Sequence, residues 1–564
     1  MLLAIAGSAL AGVHYVDVNS TNATPPYTNW TTAATNIQDA VDAAVAGDEI
    51  VVTNGTYATG GRAVDGTMTN RVAVDKPLTL RSVNGPQFTI IQGYQVPGTI
   101  VGDGAIRCVY LANGANLSGF TLTNGSTRVV RANPTNRESS GGGLWCEFTN
   151  TVAVSNCVAT GNSAYEYGGG VYGGLLNNCT LTGNWATGGY SSDGDGGGAA
   201  YCTLNNCTLT GNSAYYGGAG AAFCTLNNCT LTGNSGRGAY SSTLNDCALT
   251  GNSGGGANSC ELNNCTLSSN SVVASYAAVP GYAARGGGAF LCHLINCTLT
   301  GNSARSLANQ GAAYGGGAYE CTLINCTLTG NSVSATSGGI ASGGGVSGGT
   351  LINCIVYYNT GGNYDTYYDH PRMNFCCTTP QPTNGFGNIR NAPVFVDTNA
   401  WSNLRLQSNS PCINAGNNSY VTNATDLDGN PRIAGGTVDI GAYEFQSPAS
   451  MISYAWLQQY GLPIDPATDT ADPDGDGVDN YHEWLAGTEP TNRFSSPAQL
   501  TIIPSRTNVI LTWPTNAVGF SLQSATNLGS SAWSTNSPAP AVVNGQNIVT
   551  NPITGSQQFF RLVH

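Results

Sequence analysis

A parallel β-helix, an all-β solenoid, is the fold class this sequence predicts, and three observations predict it. The stretch Cys202-Thr-Leu-Asn-Asn-Cys207-Thr-Leu-Thr-Gly-Asn212 recurs as near copies at Leu175 to Asn184, Cys224 to Asn234, Cys260 to Cys265, Cys292 to Cys297 and Cys321 to Cys326, and a fixed period is the mark of a stacked-repeat architecture. Each copy alternates apolar and polar residues with period two, as a half-buried strand does. The chain is 564 residues long with 76 glycines and 9% charged residues. That is long for one compact core and rich in the residues of short strands and turns.

The elements follow in order. Met1 to Ala11 is apolar and ends in Ala9-Leu-Ala11, the small-x-small pattern of a signal peptide, which predicts export. No Lys or Arg precedes it, so the leader reads as incomplete. The β-helix is predicted over 12–446. Val13 to Val18 is its first strand, and Thr35 to Gly47 is an amphipathic helix whose Ile37, Ala40, Val41, Ala44 and Val45 share one face. Thr35 with Gln38 reads as a capping box and Gly47 as the stop. A helix with one apolar face followed by the short strands Glu49 to Thr53, Leu78 to Leu80 and Phe88 to Ile91 is a cap over the first coils.

Within the repeat, Cys207 and Leu209 point inward and the two threonines outward. Gly211-Asn212 is the predicted corner. Eighteen residues separate Cys229, Cys247 and Cys265, enough for three short strands and three corners, hence a triangular coil. Stacked about 4.8 Å apart, the coils line up Cys157, Cys179, Cys207, Cys229, Cys247, Cys265, Cys297, Cys326 and Cys354 as an interior ladder, with the corner asparagines as a second one. Buried thiols packing as small hydrophobes are one reading of the ladder; bridges between Cys202 and Cys207 or between rungs are the competing one in an exported chain.

Longer repeats all take their extra residues between the corner Asn and the next Gly-Gly-Gly, so the insertions emerge along one edge, where solenoids commonly bind. These loops carry Tyr165, Tyr167, Trp185, Tyr190, Tyr215, Tyr216, Tyr276, Tyr282 and Tyr314. Exposed rings in a row suit stacking on sugars; rings folded back onto their own loops are the plainer reading.

The repeats Gly286-Gly-Gly-Ala-Phe290, Gly315-Gly-Gly-Ala-Tyr319 and Leu209-Thr-Gly-Asn212 resemble those of right-handed parallel β-helices of the pectin-lyase-like superfamily and, within it, polymorphic outer-membrane-type adhesins, with Leu where the adhesin motif has Phe. The resemblance covers about 13–446 and brings no catalytic motif. Ser410-Pro-Cys-Ile413 and Asp439-Ile-Gly-Ala-Tyr-Glu444 resemble the closing segment of "choice-of-anchor" β-helix proteins of bacterial surfaces, which implies the end of the solenoid. Asp426 and Asp428 there read as turn-forming carboxylates before cation ligands.

Residues 447–493 read as a linker, a helix over Met451 to Tyr460, and the motif Asp472-Pro-Asp-Gly-Asp-Gly-Val-Asp-Asn-Tyr-His-Glu483. Asp472, Asp474, Asp476, the Val478 carbonyl, Asn480 and Glu483 fall at the oxygen-donor positions of a calcium loop, with Gly477 at its sharp turn. The motif resembles EF-hand, dockerin and thrombospondin type 3 loops. One loop alone suits a structural Ca2+ rather than a sensor. Residues 494–564 alternate like a small β-sandwich of immunoglobulin or fibronectin III type.

A net charge of −13 leaves no basic footprint, which sets aside nucleic acid and anionic membrane as partners. No apolar run after the leader approaches a membrane span. Asp193, Asp195, Asp246, Glu261 and Glu320 are scattered through the coils. Arg128, Arg131, Arg137 and Glu138, and Asp365, Asp369, His370 and Arg372, read as solvated loops rather than a catalytic constellation. The expectation is a non-catalytic adhesin or glycan-binding scaffold outside the cell. A polysaccharide lyase or hydrolase is the alternative: a groove with three or more converging carboxylates, or an Arg or Lys beside a carboxylate pair, would favour the enzyme, and an uncharged groove edged by tyrosines would favour binding.

Overall fold

The computed structural model describes residues 11–563 except 65, 131–136, 148–150, 189–193, 276–282, 309, 337, 496–498, 516–519, 528–532, 536–537 and 554–556. Three long sheets, of 14, 13 and 14 strands, wrap one core as a right-handed parallel β-helix. In one coil Thr203–Asn205 belongs to the first sheet, Thr208–Thr210 to the second and Ser213–Ala222 to the third. The first two pair in register with the coil above, Leu204 with Leu226 and Leu209 with Leu231, and the third pairs with Ser235–Tyr240 through two register shifts.

Both ladders form. All nineteen cysteines are buried and free, and the Cys207 amide lies 3.4 Å from the Cys229 Sγ, as Cys229 does from Cys247. Burial pushes the Cys108 thiol up to about 12. Asn212 stands fully buried between its neighbours. Its Nδ2 donates to the Leu181 carbonyl (2.9 Å) and to Asn234 Oδ1 (3.1 Å), and its own amide donates to the same Oδ1 (2.9 Å). Left-handed residues stand at the corners of this coil, Tyr201 (φ 57°), Asn206 (φ 53°) and Gly211 (φ 61°). Asn212 is therefore not the turning residue its neighbour suggested; its amide is spent on the ladder. The Gly-Gly-Gly runs have a separate cause. A Cβ on Gly197 would stand 2.1 Å from the Ser213 carbonyl, so coils approach too closely there for any side chain.

The N-terminal helix α1 spans Ile37–Ala43 and covers the first coils with Ile37, Ala40 and Val41 buried. Its cap is Asn36, whose side chain accepts from the Asp39 amide, in place of the Thr35–Gln38 box. Gln38 is instead buried against Ala73, accepting its amide at 2.7 Å. The helix ends at Ala44 in extended conformation, leaving Val45 65% exposed and outside the apolar face. Insertions at the predicted corner stack on one another: Ser271–Ala274, Ser303–Ser306 and Ser332–Ala335 form one small parallel sheet, Ala283–Arg285, Ala312–Tyr314 and Ile340–Ser342 another. Ala274, Ala284, Ala304, Ala313 and Val333 pack between them.

Beyond the last coil come α2 (Tyr454–Tyr460), α3 (Pro466–Asp469) and α4 (Asn480–Ala486). Residues 501–563 form antiparallel sheets of four and two strands around Leu511, Trp513, Leu522 and Val549. No helix among the described residues is long and apolar enough to cross a membrane.

Candidate functional sites: the third-sheet cleft and the acidic loop

The outer face of the third sheet is unlike the other two. Its pleat presents the second residue after each Gly-rich run, and among these are Trp145, Tyr172, Tyr240, Phe290 and Tyr319 in successive or near-successive coils. Where Ala200 and Ala222 leave room, Tyr201 and Phe223 from the adjacent corner fill it. The result is a column of rings from Tyr110 through Trp145, Tyr172, Tyr201 and Phe223 to Tyr240, with centroids 4.9 to 6.1 Å apart. Phe290 and Tyr319 resume it, stacked at 5.6 Å.

The insertion lobe walls this face and makes a cleft of two adjoining hollows. One, of about 260 Å³, is lined by Arg237, Asn258, Val272, Val273, Arg285 and Phe290 among others. The next, of about 240 Å³, is lined by Arg285, Tyr314, Tyr319, Ser347, Tyr368 and Asp369. Arg285 stands over the Tyr319 ring at 5.3 Å and Arg237 over Tyr240 at 6.0 Å. Residues 141–359 contain three cations, Arg237, Arg285 and Arg305, against seven carboxylates. Two of the three therefore share one hollow.

Glu320 and Asp369 are 49 positions apart in sequence, yet the fold brings them together over Gly348. A Cβ on that glycine would lie 2.6 Å from Asp369 Oδ2 and 3.0 Å from the Glu320 carboxyl carbon. Glu320 is raised above its ordinary pKa, first by its hydrogen bond to Asp369, then by burial and by that neighbour's charge. Asp369 lines the hollow with Arg285 and Tyr314, and the exposed Glu320 stands next to it, so that the two carboxylates can share a proton. The expectation that Glu320 is a scattered charge of the coils and Asp369 part of a separate solvated loop is thus corrected: stacking, not sequence distance, sets their separation. Asp365 is corrected in the other direction. It is fully buried, accepting from Ser342 and Ser347 hydroxyls and the Tyr367 and Tyr368 amides. Burial raises its pKa, but these donors outweigh it and hold the carboxyl below its usual range; Asp365 builds the loop that carries Tyr368 and Asp369. Glu138 serves the Thr67 and Met68 amides and pairs with Arg128, a structural duty.

Of the aromatic residues singled out from sequence, Tyr314 lines the cleft. Trp185, Tyr215 and Tyr216 are exposed beside the column at 38%, 61% and 45%. Tyr165 is buried and offers no stacking face, and Tyr167 packs edge-on against Tyr201 and Phe223. Tyr190, Tyr276 and Tyr282, with Arg131 and Asp193, lie outside the described residues. Sequence reasoning missed Arg237, Arg285, Phe290, Tyr319 and Tyr368. The first position after Gly-Gly-Gly-Ala was the available signal, since every copy aligned on that phrase puts its next residue on the outer third-sheet face.

The acidic loop is built locally. Gly475 (φ 72°) and Gly477 (φ 94°) turn the backbone, and Asp472 Oδ1 and Oδ2 accept the Gly475 and Gly477 amides, each at 2.9 Å. Carboxylate oxygens of Asp472, Asp474 and Asp476 lie within 4.8 Å of one another. Asn480 and Glu483, on α4, are fully buried. Asp474 Oδ2, Asp476 Oδ2, Asn480 Oδ1 and Glu483 Oε2 are buried without a hydrogen-bond partner. Burial, then repulsion from Asp474, Asp476 and Asp472, pushes Glu483 up to about 7. Four orphaned oxygens of hard-ligand type at one turn fit a cation such as Ca2+. Asp426 and Asp428 are no such site: Asp426 caps its own turn by accepting from the Asp428 and Asn430 amides, and Asp428 pairs with Arg405.

No family model and no curated protein matches the chain. Among solved structures, pectate lyase Pel9A aligns over 77% of this chain and 97% of its own at 15% identity with a TM-score of 0.33. XylC in complex with xylose aligns over 77% and 98% at 8% identity and 0.36. The polygalacturonase from Erwinia carotovora aligns over 59% and 96% at 8% and 0.31. Each is a likeness of coil architecture alone.

Proposed function

We propose that this chain is an extracellular or cell-surface β-helix protein that grips an acidic polysaccharide in the third-sheet cleft. The observation that carries the reading is the pairing of Arg237 and Arg285 in one hollow edged by Phe290, with Arg285 shared by the next hollow and its Tyr314, Tyr319 and Tyr368. Rings supply flat apolar faces for sugar rings, and guanidinium groups supply paired donors for a carboxylate or sulfate. A neutral glycan needs the rings but not the arginines.

Catalysis at the same cleft is the second reading, favoured by the Glu320–Asp369 pair beside Arg285. A proton held between two carboxylates is a general acid and base in one place, and the pair meets the sign by which a lyase or hydrolase was to be told from a scaffold. The test is a panel of acidic and neutral polysaccharides scored at once for retention and for new reducing or unsaturated ends. Retention of acidic glycans without new ends supports the scaffold. New ends that vanish in Glu320→Gln or Asp369→Asn support the enzyme. Absence of both across the panel removes the glycan reading.

We also infer that Asp472, Asp474, Asp476, the Val478 carbonyl, Asn480 and Glu483 hold Ca2+. Bound there, the cation would supply positive charge to four buried acceptors that the protein leaves unpaired. Calorimetric titration of the full chain tests it, with Glu483→Gln expected to abolish the heat.

A further inference from the structure

The outward column of the second sheet changes state along the solenoid. Thr266, Thr298, Thr327 and Ile355 stand in register one above another. Thr266 is exposed, like Thr208 and Thr230 below it, whereas Thr298, Thr327 and Ile355 are buried. The cover is the closing segment. Ala442 donates its amide to Thr327 Oγ1 at 3.0 Å, Gly441 to the Asn353 carbonyl at 2.9 Å and Asn417 to Asn353 Oδ1 at 2.9 Å. Gly441 (φ 117°) is required for the approach, since a Cβ there would meet Ile355 Cδ1 at 2.8 Å.

Apart from the pair Phe395–Asp397 and Asn403–Leu406, this cover has no strands of its own. Its apolar side closes through a core in which Phe395, Leu404, Leu406, Ile413 and Ile440 meet Tyr454 and Leu457 of α2, with Tyr481 and Trp484 of α4 packed against them. A polar relay runs the same way. Asn480 donates Nδ2 to the Thr468 carbonyl (2.7 Å), and Asp469 accepts from Ser450 Oγ and the Met451 amide. The Ser450 carbonyl accepts from Asn414 Nδ2 (2.7 Å), and the Asn414 amide donates to Asp439 Oδ1 (2.8 Å). The acidic loop thus sits at the far end of one framework that holds the cover, in addition to the cover's own bonds to the second sheet.

We propose that the acidic loop is a latch: a divalent cation held there fixes α4, and through Tyr481, Trp484 and the Asn480 relay it clamps the closing segment onto the second sheet. The proposal rests on the cation reading of the loop. Without the cation, the buried Glu483 faces the partly exposed carboxylates of Asp472, Asp474 and Asp476 with no positive charge between them. Glu483 shares its helix turn with Trp484 and Tyr481, so this unbalanced charge acts on the residues that close the cover. Binding free energy available to the docked state alone would appear as stability of the cover.

Hydrogen exchange of the full chain, read by mass spectrometry in calcium and in chelator alongside calorimetric titration, tests this. The amides of residues 417, 441 and 442 are expected to exchange at least about tenfold faster in chelator, while the Asn-ladder coils stay unchanged. Trp484→Ala is expected to keep its calcium heat yet exchange fast at those amides even in saturating calcium. Calcium heat with exchange changes confined to 472–487, or Trp484→Ala with protected amides, would overturn the latch and leave the cation site standing. No heat and no exchange change would overturn both.

Discussion

The second and third sheets are turned from the same coils, and their outer faces could hardly differ more. Thr208, Thr230 and Thr266 are exposed on the second sheet, with the small Ala248 between the last two. The third sheet presents Trp145, Tyr172, Tyr240, Phe290 and Tyr319, flanked by Arg237 and Arg285. The inner faces of both are uniform Leu, Cys and Ala. Stacking alone rewards identity, because each residue meets its own copy in the next coil; departure from identity calls for another cause, and the ligand proposed above would supply one. The comparison separates residues that keep the solenoid from residues that use it.

The largest effect expected from breaking this division lies inside. Asn234→Ala strips an acceptor from the Asn212 amide and Nδ2 and a donor from the Leu209 carbonyl, all buried, for a loss of roughly 4 kcal/mol; chemical denaturation measures it. The next concerns the one stretch where the second-sheet face is covered. The closing segment buries Asp439, Glu444 and Arg432 together. Burial pushes Asp439 from 3.8 to about 7, and burial with the Asp439 charge pushes Glu444 from 4.5 to about 9. Folded pKa values above the unfolded ones mean that the native state keeps protons the unfolded chain releases. This pair's contribution therefore falls as pH rises from about 4 toward 9. Melting temperature across that range is expected to drop in the wild type and to flatten in Glu444→Gln. Tyr319→Ala, on the third sheet, is expected to weaken glycan retention about three- to tenfold, the worth of a ring contact, and to leave melting nearly unmoved. Thr230→Ala, on the exposed second-sheet face, is the smallest, within about 0.5 kcal/mol by the same denaturation assay.

Much of the solenoid was legible in the sequence because period-two alternation and a coil-length repeat state burial directly: Cys207, Leu209 and the asparagine ladder are where the pattern puts them. The corner was misread between Gly211 and Asn212 because both residues tolerate positive φ, and only the ladder's demand for a buried amide tells them apart. The α1 cap failed similarly, Asn36 and Gln38 each having more than one use. The turn and clustered oxygens of the acidic loop were legible because its carboxylates are local, all within twelve positions. The cleft was not. Glu320 meets Asp369, and Arg237 meets Arg285, only after insertions of unequal length are subtracted coil by coil, so their spacing in the chain carries no period. Tyr165 and Tyr314 looked alike as loop aromatics, yet one is buried and the other lines the cleft, a difference set by which insertion stacks over it.

The claim that the third-sheet face binds and the second merely stacks meets its most direct test in affinity electrophoresis on acidic polysaccharide gels, comparing wild type with Arg237→Ala/Arg285→Ala and with a Thr208→Ala/Thr230→Ala control. The account predicts retardation of wild type and control alike, lost in the arginine variant at unchanged melting temperature. Equal retardation of all three, or loss in the threonine control alone, would contradict it.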